Sequence, residues 1–309
     1  MLNLELNSRE NRRKVELFNR LSTSQIGGHK MDSKTIAGPK PSLLMEQHKH
    51  NFTKSEHKIY EYILSNPNQV LYHSLTELSE LSGVAEATVL RFFRKLGFKG
   101  FQDFKFLFAQ EVPAADHSEN DESFIYRIRN NIIQAVDDTS DVVDAETLEK
   151  CIQAINDSPD VVIFGIGSSG IAGLDMQNRL MRIGKHVSVI TDSHFQIMRA
   201  SSLNENSVVV AISLTGSTKD IVDAVKIAKE KKATVIALTT YVKSPLTKYA
   251  DHILLSSAKE SPLDSGSLVS KIAQLYLIDL ICTGLTMNNF ESADSVKREI
   301  TEHIASKLY

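Results

Sequence analysis

Five short runs, "VVIFGI", "HVSVIT", "SVVVAIS", "TVIALTT" and "HILLSS", follow one another after Pro159, each β-branched and continuously apolar, with helical segments between them. A strand with one face in water alternates apolar and polar residues, whereas a strand covered on both faces has no reason to alternate. The runs therefore predict parallel strands buried between helices, a doubly wound five-stranded α/β sheet. The material for such a core is present, since 42% of the 309 residues are hydrophobic, an ordinary share for a globular chain.

Ahead of these runs the texture is helical. Residues 1–45 are polar and include "IGGHKMDSKTIAGPKP", so they read as a tail or arm, with disorder expected. From Phe52 to about Gln110 four short helices are predicted. The pairs Thr53 with Glu56 and Ser74 with Glu77 are capping boxes that open two of them, and Pro67, Gly83 and Gly97 close segments. Residues 112–122, "VPAADHSENDE", are small and acidic, as a linker is. The expected organisation is a tail over 1–45, a helical domain over 46–111, a linker over 112–122 and an α/β domain over 123–309.

Several classes are disfavoured. Cys151 and Cys282 lie far apart on apolar-periodic segments, which resembles neither a disulfide framework nor a metal-ligand spacing and fits a reducing, cytosolic setting. No apolar run is expected to reach the roughly 20 residues of a membrane span, because "IAQLYLIDLICTGLTM" is interrupted by Gln274 and Asp279. The first residues mix acids and bases without a secretory core, so no export is expected. A net charge of −3 argues against coating nucleic acid with the whole surface, yet leaves room for one basic patch.

Two of the strands run into small, hydroxyl-rich loops: "GIGSSG" over 165–170 and "SLTGST" over 213–218. In an open parallel sheet, ligands bind beyond the carboxyl ends of strands, where loops lead into helix N-termini. There the first backbone N–H groups lack partners and favour a phosphate. Gly165, Gly167 and Gly170 leave room for the approach, Ser168 and Ser169 supply hydroxyls, and Ser213, Thr215, Ser217 and Thr218 can ring the same oxygens around the turn at Gly216. No G-x-x-x-x-G-K-[ST] pattern is present, which argues against a P-loop. "GIGSSG" does match G-x-G-x-x-G, but the acidic residue expected about 20 positions on is poorly placed, Asp192 falling late. The plain alternative is that both loops only cap helices.

In the amino-terminal part, two helices joined through "SGVAE" have the short turn of a helix-turn-helix, with the second helix placed to read a major groove. Val89, Phe92, Phe93 and Leu96 make its buried face, leaving Glu86, Thr88, Arg91, Arg94 and Lys95 outward. Glu86 and Thr88 are candidate base readers. Arg91, Arg94 and Lys95 reach base edges or phosphates, while Lys99 and Lys105 are placed for the backbone. An ordinary solvated helix face would carry the same charges. The phenylalanines at 98, 101, 104, 106 and 108 read mostly as packing, with one ring exposed.

The motif pair G-x-G-x-S after the first strand and S-x-[ST]-G-x-T after the third resembles the sugar isomerase (SIS) phosphosugar-binding domain over residues 130–285. With "EATVLRFFRKLGFKGFQDFK" and "ESPLDSGSLVSKIAQLYLIDLI", the chain resembles the RpiR family of bacterial transcriptional regulators over 52 to about 290. The resemblance implies a phosphate held by Ser168, Ser169, Ser213, Thr215 and Thr218, with Gly167, Gly216 and Ser217 in the same loops. It also implies sugar contacts near His194 and Glu260. The partners implied are a double-stranded operator, pseudo-palindromic if the protein is a homodimer or homotetramer, and a phosphorylated sugar effector. No cofactor, metal or membrane is expected.

A sugar-phosphate isomerase with an appended helical domain is the alternative. It needs a general base, for which Asp220, His194, Glu260 and His252 are available. No Ser/His/Asp order and no H-E-x-x-H spacing is present to support a hydrolase or a metalloenzyme.

Overall fold

The computed structural model describes residues 40–112, 124–257, 268–305 and 307. The assigned tail up to residue 39, nearly all of the linker, and Glu260 lie outside them. Among the described residues the first helix, α1 (Pro41–His48), starts inside the stretch read as tail. Its reason is Met45, fully buried among Ile59, Ile63 and Phe92 in the amino-terminal core. Leu43, Leu44 and Met45 form one short apolar run, too brief to show a helical period.

Both capping boxes form. α2 (Lys54–Ser65) is opened by Thr53, whose side chain accepts from Glu56 N while Glu56 returns the bond to Thr53 N. α4 (Leu75–Ser82) is opened in the same way by Ser74 and Glu77, after the single turn α3 (Pro67–Val70). α4 stops at Gly83, whose φ of 66° favours glycine, and Val84 N bonds back to Ser79 O to close the turn. α5 (Glu86–Lys95) and α6 (Phe101–Phe108) complete the unit. Phe98, Phe101, Phe104 and Phe108 are buried and Phe106 is exposed, so the phenylalanines are packing with one ring outside. Phe93 stacks on Phe101 and packs against Phe104 with centroids 5.2 and 4.6 Å apart.

The second part begins with α7 (Phe124–Val142) and α8 (Ala145–Asp157). Five parallel strands follow: β1 (Asp160–Gly165), β2 (Val187–Ile190), β3 (Ser207–Ile212), β4 (Thr234–Thr239) and β5 (His252–Leu255). α9 (Ser168–Met181), α10 (Ser193–Ser201) and α11 (Lys219–Glu230) cross between them. The sheet order is β2-β1-β3-β4-β5. Along β1, Val161 and Ile163 enter one core while Val162 and Phe164 enter the other, which is why the strand has no polar alternation. Burying each such side chain is worth about 1.5–3 kcal/mol.

α12 (Leu268–Asn288) and α13 (Phe290–Ala305) end the described chain. Contrary to the sequence expectation, α12 is long and apolar enough to cross a membrane, with a mean hydropathy of 1.5 over its most apolar window. Its apolarity has another use here: Ala273, Leu277, Ile278, Ile281 and Leu285 are buried, and the last four join the core with β1 and β3. The two residues taken as interruptions are accommodated, Gln274 by burial and Asp279 by an ion pair with Arg179.

Candidate functional site

The strand order reverses direction between β1 and β3, which lie side by side with Gly165 in register with Ile212. The loop after β1 and the loop after β3 therefore open onto one crevice, the switch point where α/β sheets bind ligands. In the second loop Ser213, only 3% exposed, points its hydroxyl at Thr218 Oγ1, 3.3 Å away. Thr215 Oγ1 accepts from Ser217 N at 3.3 Å, and Ser217 Oγ donates to Thr215 O at 3.1 Å. Gly216 turns the loop at φ 59°, and a Cβ there would sit 2.1 Å from Ser244 Oγ.

The first loop turns at Gly167, also at φ 59°, directly into α9. A Cβ at Gly165 would meet the Ser169 carbonyl oxygen at 2.8 Å, so the strand end and helix start touch backbone to backbone. α9 and α11 begin at these loops without a side-chain cap bond, whereas Asp144 caps α8 and Asp192 caps α10. Two uncapped helix starts facing a crevice lined by hydroxyls favour an anion with several oxygens. His194 is exposed in the first turn of α10, and Asp220 is exposed in the first turn of α11. Among the described residues no three His, Cys, Asp or Glu gather as metal ligands.

Two residues that the sequence does not assign to a site, Gln196 and Gln274, bond to the first loop. Gln274 of α12, 2% exposed, donates Nε2–H to Ser169 Oγ at 3.3 Å. Gln196, fully buried on α10, donates to Ile190 O at 2.7 Å and to Gly165 O at 3.4 Å, while its Oε1 has no partner. The available signal was a lone amide inside an otherwise apolar helix face, which only a fold can interpret.

On α5, Val89, Phe92 and Phe93 are fully buried and Leu96 nearly so, while Arg91, Arg94, Lys95 and Lys99 are exposed and Thr88 is half-buried. Arg91 and Arg94 hold an open face. Lys95 is engaged within the unit: its ammonium donates to Asn51 O and to Glu56 Oε2, both at 2.8 Å. Burial pushes the Glu56 carboxyl up, but the hydrogen bonds from Lys95 and Thr53 prevail and its pKa falls below the ordinary value. Glu86 accepts from the Thr76 hydroxyl and pairs with Lys248 at 2.7 Å. Two turns before Phe93, it flanks the buried side of the helix.

Lys105 corrects an expectation. The sequence places it, with Lys99, for contact with the DNA backbone, yet it is 2% exposed, donating to His73 O at 2.9 Å and lying over the rings of Phe101 and Tyr241. Its position on α6 follows Phe104 into the core and carries the ammonium inward. Burial lowers its pKa to about 8, against the opposing charge of Glu77.

Residues 42–115 match the helix-turn-helix domain of the rpiR family, and residues 154–284 match the SIS domain. A Clostridium perfringens protein named an uncharacterized HTH-type transcriptional regulator is 36% identical over 270 residues, 84% of this chain and 97% of that one. A Haemophilus influenzae protein of the same description is 33% identical over 261 residues, 81% of this chain and 91% of that one. Among solved structures, the Vibrio vulnificus NanR protein complexed with ManNAc-6P superposes with a TM-score of 0.78 at 25% identity, covering 87% of this chain and 100% of that chain. The sugar isomerase domain of an RpiR transcription factor from Sphaerobacter thermophilus shares the fold, with a TM-score of 0.54 at 22% identity over 59% of this chain and 99% of its own.

Proposed function

Since the chain belongs to the RpiR family of HTH-type transcriptional regulators with a SIS domain, we propose that it regulates carbohydrate metabolism by binding a phosphorylated sugar that changes its hold on operator DNA. The observation that carries this reading is the crevice at the switch point, where two hydroxyl-rich loops lead into two helix starts without side-chain caps. A phosphate there accepts from Ser168, Ser169, Ser213, Thr215, Ser217 and Thr218 and from backbone N–H groups beside Gly167 and Gly216. The sugar extends toward His194 and the segment containing Glu260. The ligand of the Vibrio vulnificus protein supports amino-sugar phosphates as the first class to try.

The DNA face centres on Arg91 and Arg94, with Thr88 at the amino-terminal end of the helix and Lys99 toward the phosphates; Glu86 and Lys95 join it only by giving up their partners Lys248 and Glu56. The helix-turn-helix unit, extended from 46–111 to take in α1 from Pro41, the linker over 112–122 and the sensing domain over 123–309 make the working parts, in a cytoplasmic protein without cofactor. Exposed Phe124, Tyr126 and Ile128 on α7, with Ile171 and Leu174 on α9, support self-association into a dimer or tetramer. A two-fold assembly places two reading helices about 34 Å apart on a pseudo-palindromic site. Relatives of nearly equal length named as regulators support this reading over an isomerase.

Calorimetric titration with hexose and amino-sugar phosphates tests the site. Binding that is lost with the unphosphorylated sugars is the expected result. Equal affinity for a sugar and its phosphate ester would remove the phosphate cradle from the account.

A further inference from the structure

The segment joining β4 to β5, residues 240–251, touches the second hydroxyl loop at one end and both helices of the helix-turn-helix at the other. On the loop side Leu246 N donates to Gly216 O at 2.9 Å, and Thr240 N donates to Leu214 O at 3.0 Å. Ser244 packs so tightly on Gly216 that no side chain fits between them. On the other side Ser74 Oγ donates to Lys243 O at 2.5 Å, while Lys243 pairs with Glu80 at 2.6 Å and Lys248 with Glu86 at 2.7 Å. Ser74 starts α4 and Glu86 starts α5, so the grip falls on the element that would read DNA.

The contacts differ in weight. The Lys243–Glu80 pair is half exposed on both sides, and such pairs contribute little. The bond from fully buried Ser74 is shielded from water and carries more, and the Lys248–Glu86 pair, with the carboxylate 25% and the lysine 47% exposed, lies between the two. The amino-terminal half of the recognition unit is thus fastened to a loop that is bonded to, and closely packed on, Gly216.

We propose that residues 240–251 are the relay between the effector crevice and the reading helix: a ligand that repositions the 213–218 loop shifts Ser244 and Leu246, and Lys243 and Lys248 pass the displacement to α4 and α5. This rests on the phosphosugar reading for its trigger, but the docking itself does not. Coupling between two sites needs an element whose position both ligands bias, and among the described residues this loop is a continuous segment that bonds to both.

The test uses the full chain with Lys243→Glu and Lys248→Glu combined. Without any ligand, backbone amides of residues 74–90 should exchange faster than in the wild type by about tenfold, because each new carboxylate faces Glu80 or Glu86 and works against the remaining Ser74 bond; unchanged exchange would overturn the docking. With a sugar phosphate that binds the wild type, the ratio of operator affinities with and without it should fall from about tenfold toward one, while the sugar-phosphate affinity stays within about twofold. A fully retained ratio would overturn the relay. If the wild type binds no sugar phosphate, the phosphosugar reading has failed separately. Gly216→Ala, which forces Ser244 away without ligand, then decides the relay: it should alter exchange over residues 74–90, and exchange altered only around residues 213–218 would refute it.

Discussion

Gln274 reaches from the middle of α12 to the Ser169 hydroxyl at the mouth of α9, 3.3 Å away. The bond fixes which way that hydroxyl points before a ligand arrives, and it links the effector crevice to the helix that fills the core. Gln274→Leu keeps the volume and removes the bond. The expected result is a sugar-phosphate affinity about fivefold weaker, the worth of roughly one neutral hydrogen bond, with an unchanged melting temperature. Titration calorimetry beside thermal unfolding checks both; unaltered affinity would show that Gln274 only packs.

Ser213 and Thr215 stand closer to the proposed phosphate. Ser213→Ala should weaken sugar-phosphate binding by about tenfold or more, since hydrogen bonds to charged groups are worth roughly 1.5–3 kcal/mol, while operator affinity without effector stays as it was. Thr215→Ala should behave in the same way. Equal effector affinity in Ser213→Ala and wild type, read in one titration, would contradict the assigned cradle.

Arg91 has the opposite signature. It lies exposed on α5, far in sequence from the crevice, so Arg91→Ala should spare the sugar-phosphate affinity and weaken DNA binding by about 1–3 kcal/mol. If it contacts a phosphate, the loss is similar on every sequence and the salt slope falls by about one; if it contacts a base, the loss is confined to the specific site. Anisotropy titrations at several salt concentrations separate these, and unchanged DNA affinity would remove Arg91 from the interface.

Lys105 predicts a pH effect. Its pKa in the folded protein, about 8, is below the ordinary lysine value of 10.5, so the folded state gives up the proton first. The penalty of a buried ammonium is therefore fully present below pH 8 and disappears as pH rises toward the unfolded value. Relative to Lys105→Met, the wild type should gain on the order of 2–3 kcal/mol between about pH 7.5 and pH 10.5. Chemical denaturation of both proteins across that range measures it; a constant difference would show that Lys105 stays charged or reaches water.

These residues also mark what the sequence could and could not disclose. The strands were legible because both faces of β1 and β3 are covered, and continuous apolar runs record that directly. The capping boxes were legible because their partners are three residues apart. Strand order was not, because neither crossover direction nor the β1–β3 neighbourhood leaves a mark on composition. Glu86 looked like a surface residue because its partner, Lys248, is 162 positions away. Lys105 and Gln274 are misread for a related reason: a polar group in an apolar setting reads as a surface contact or an interruption until the fold shows the carbonyl or hydroxyl that receives it.

The most direct measurement is fluorescence anisotropy of the full chain on DNA from upstream of its own and neighbouring genes, in competitor DNA, before and after adding sugar phosphates. Specific, salt-dependent binding that one phosphorylated sugar changes by about fivefold or more, and that its unphosphorylated form leaves alone, is the expected result. Specific binding that no sugar phosphate alters, or turnover of a sugar phosphate with no specific DNA binding, would contradict it.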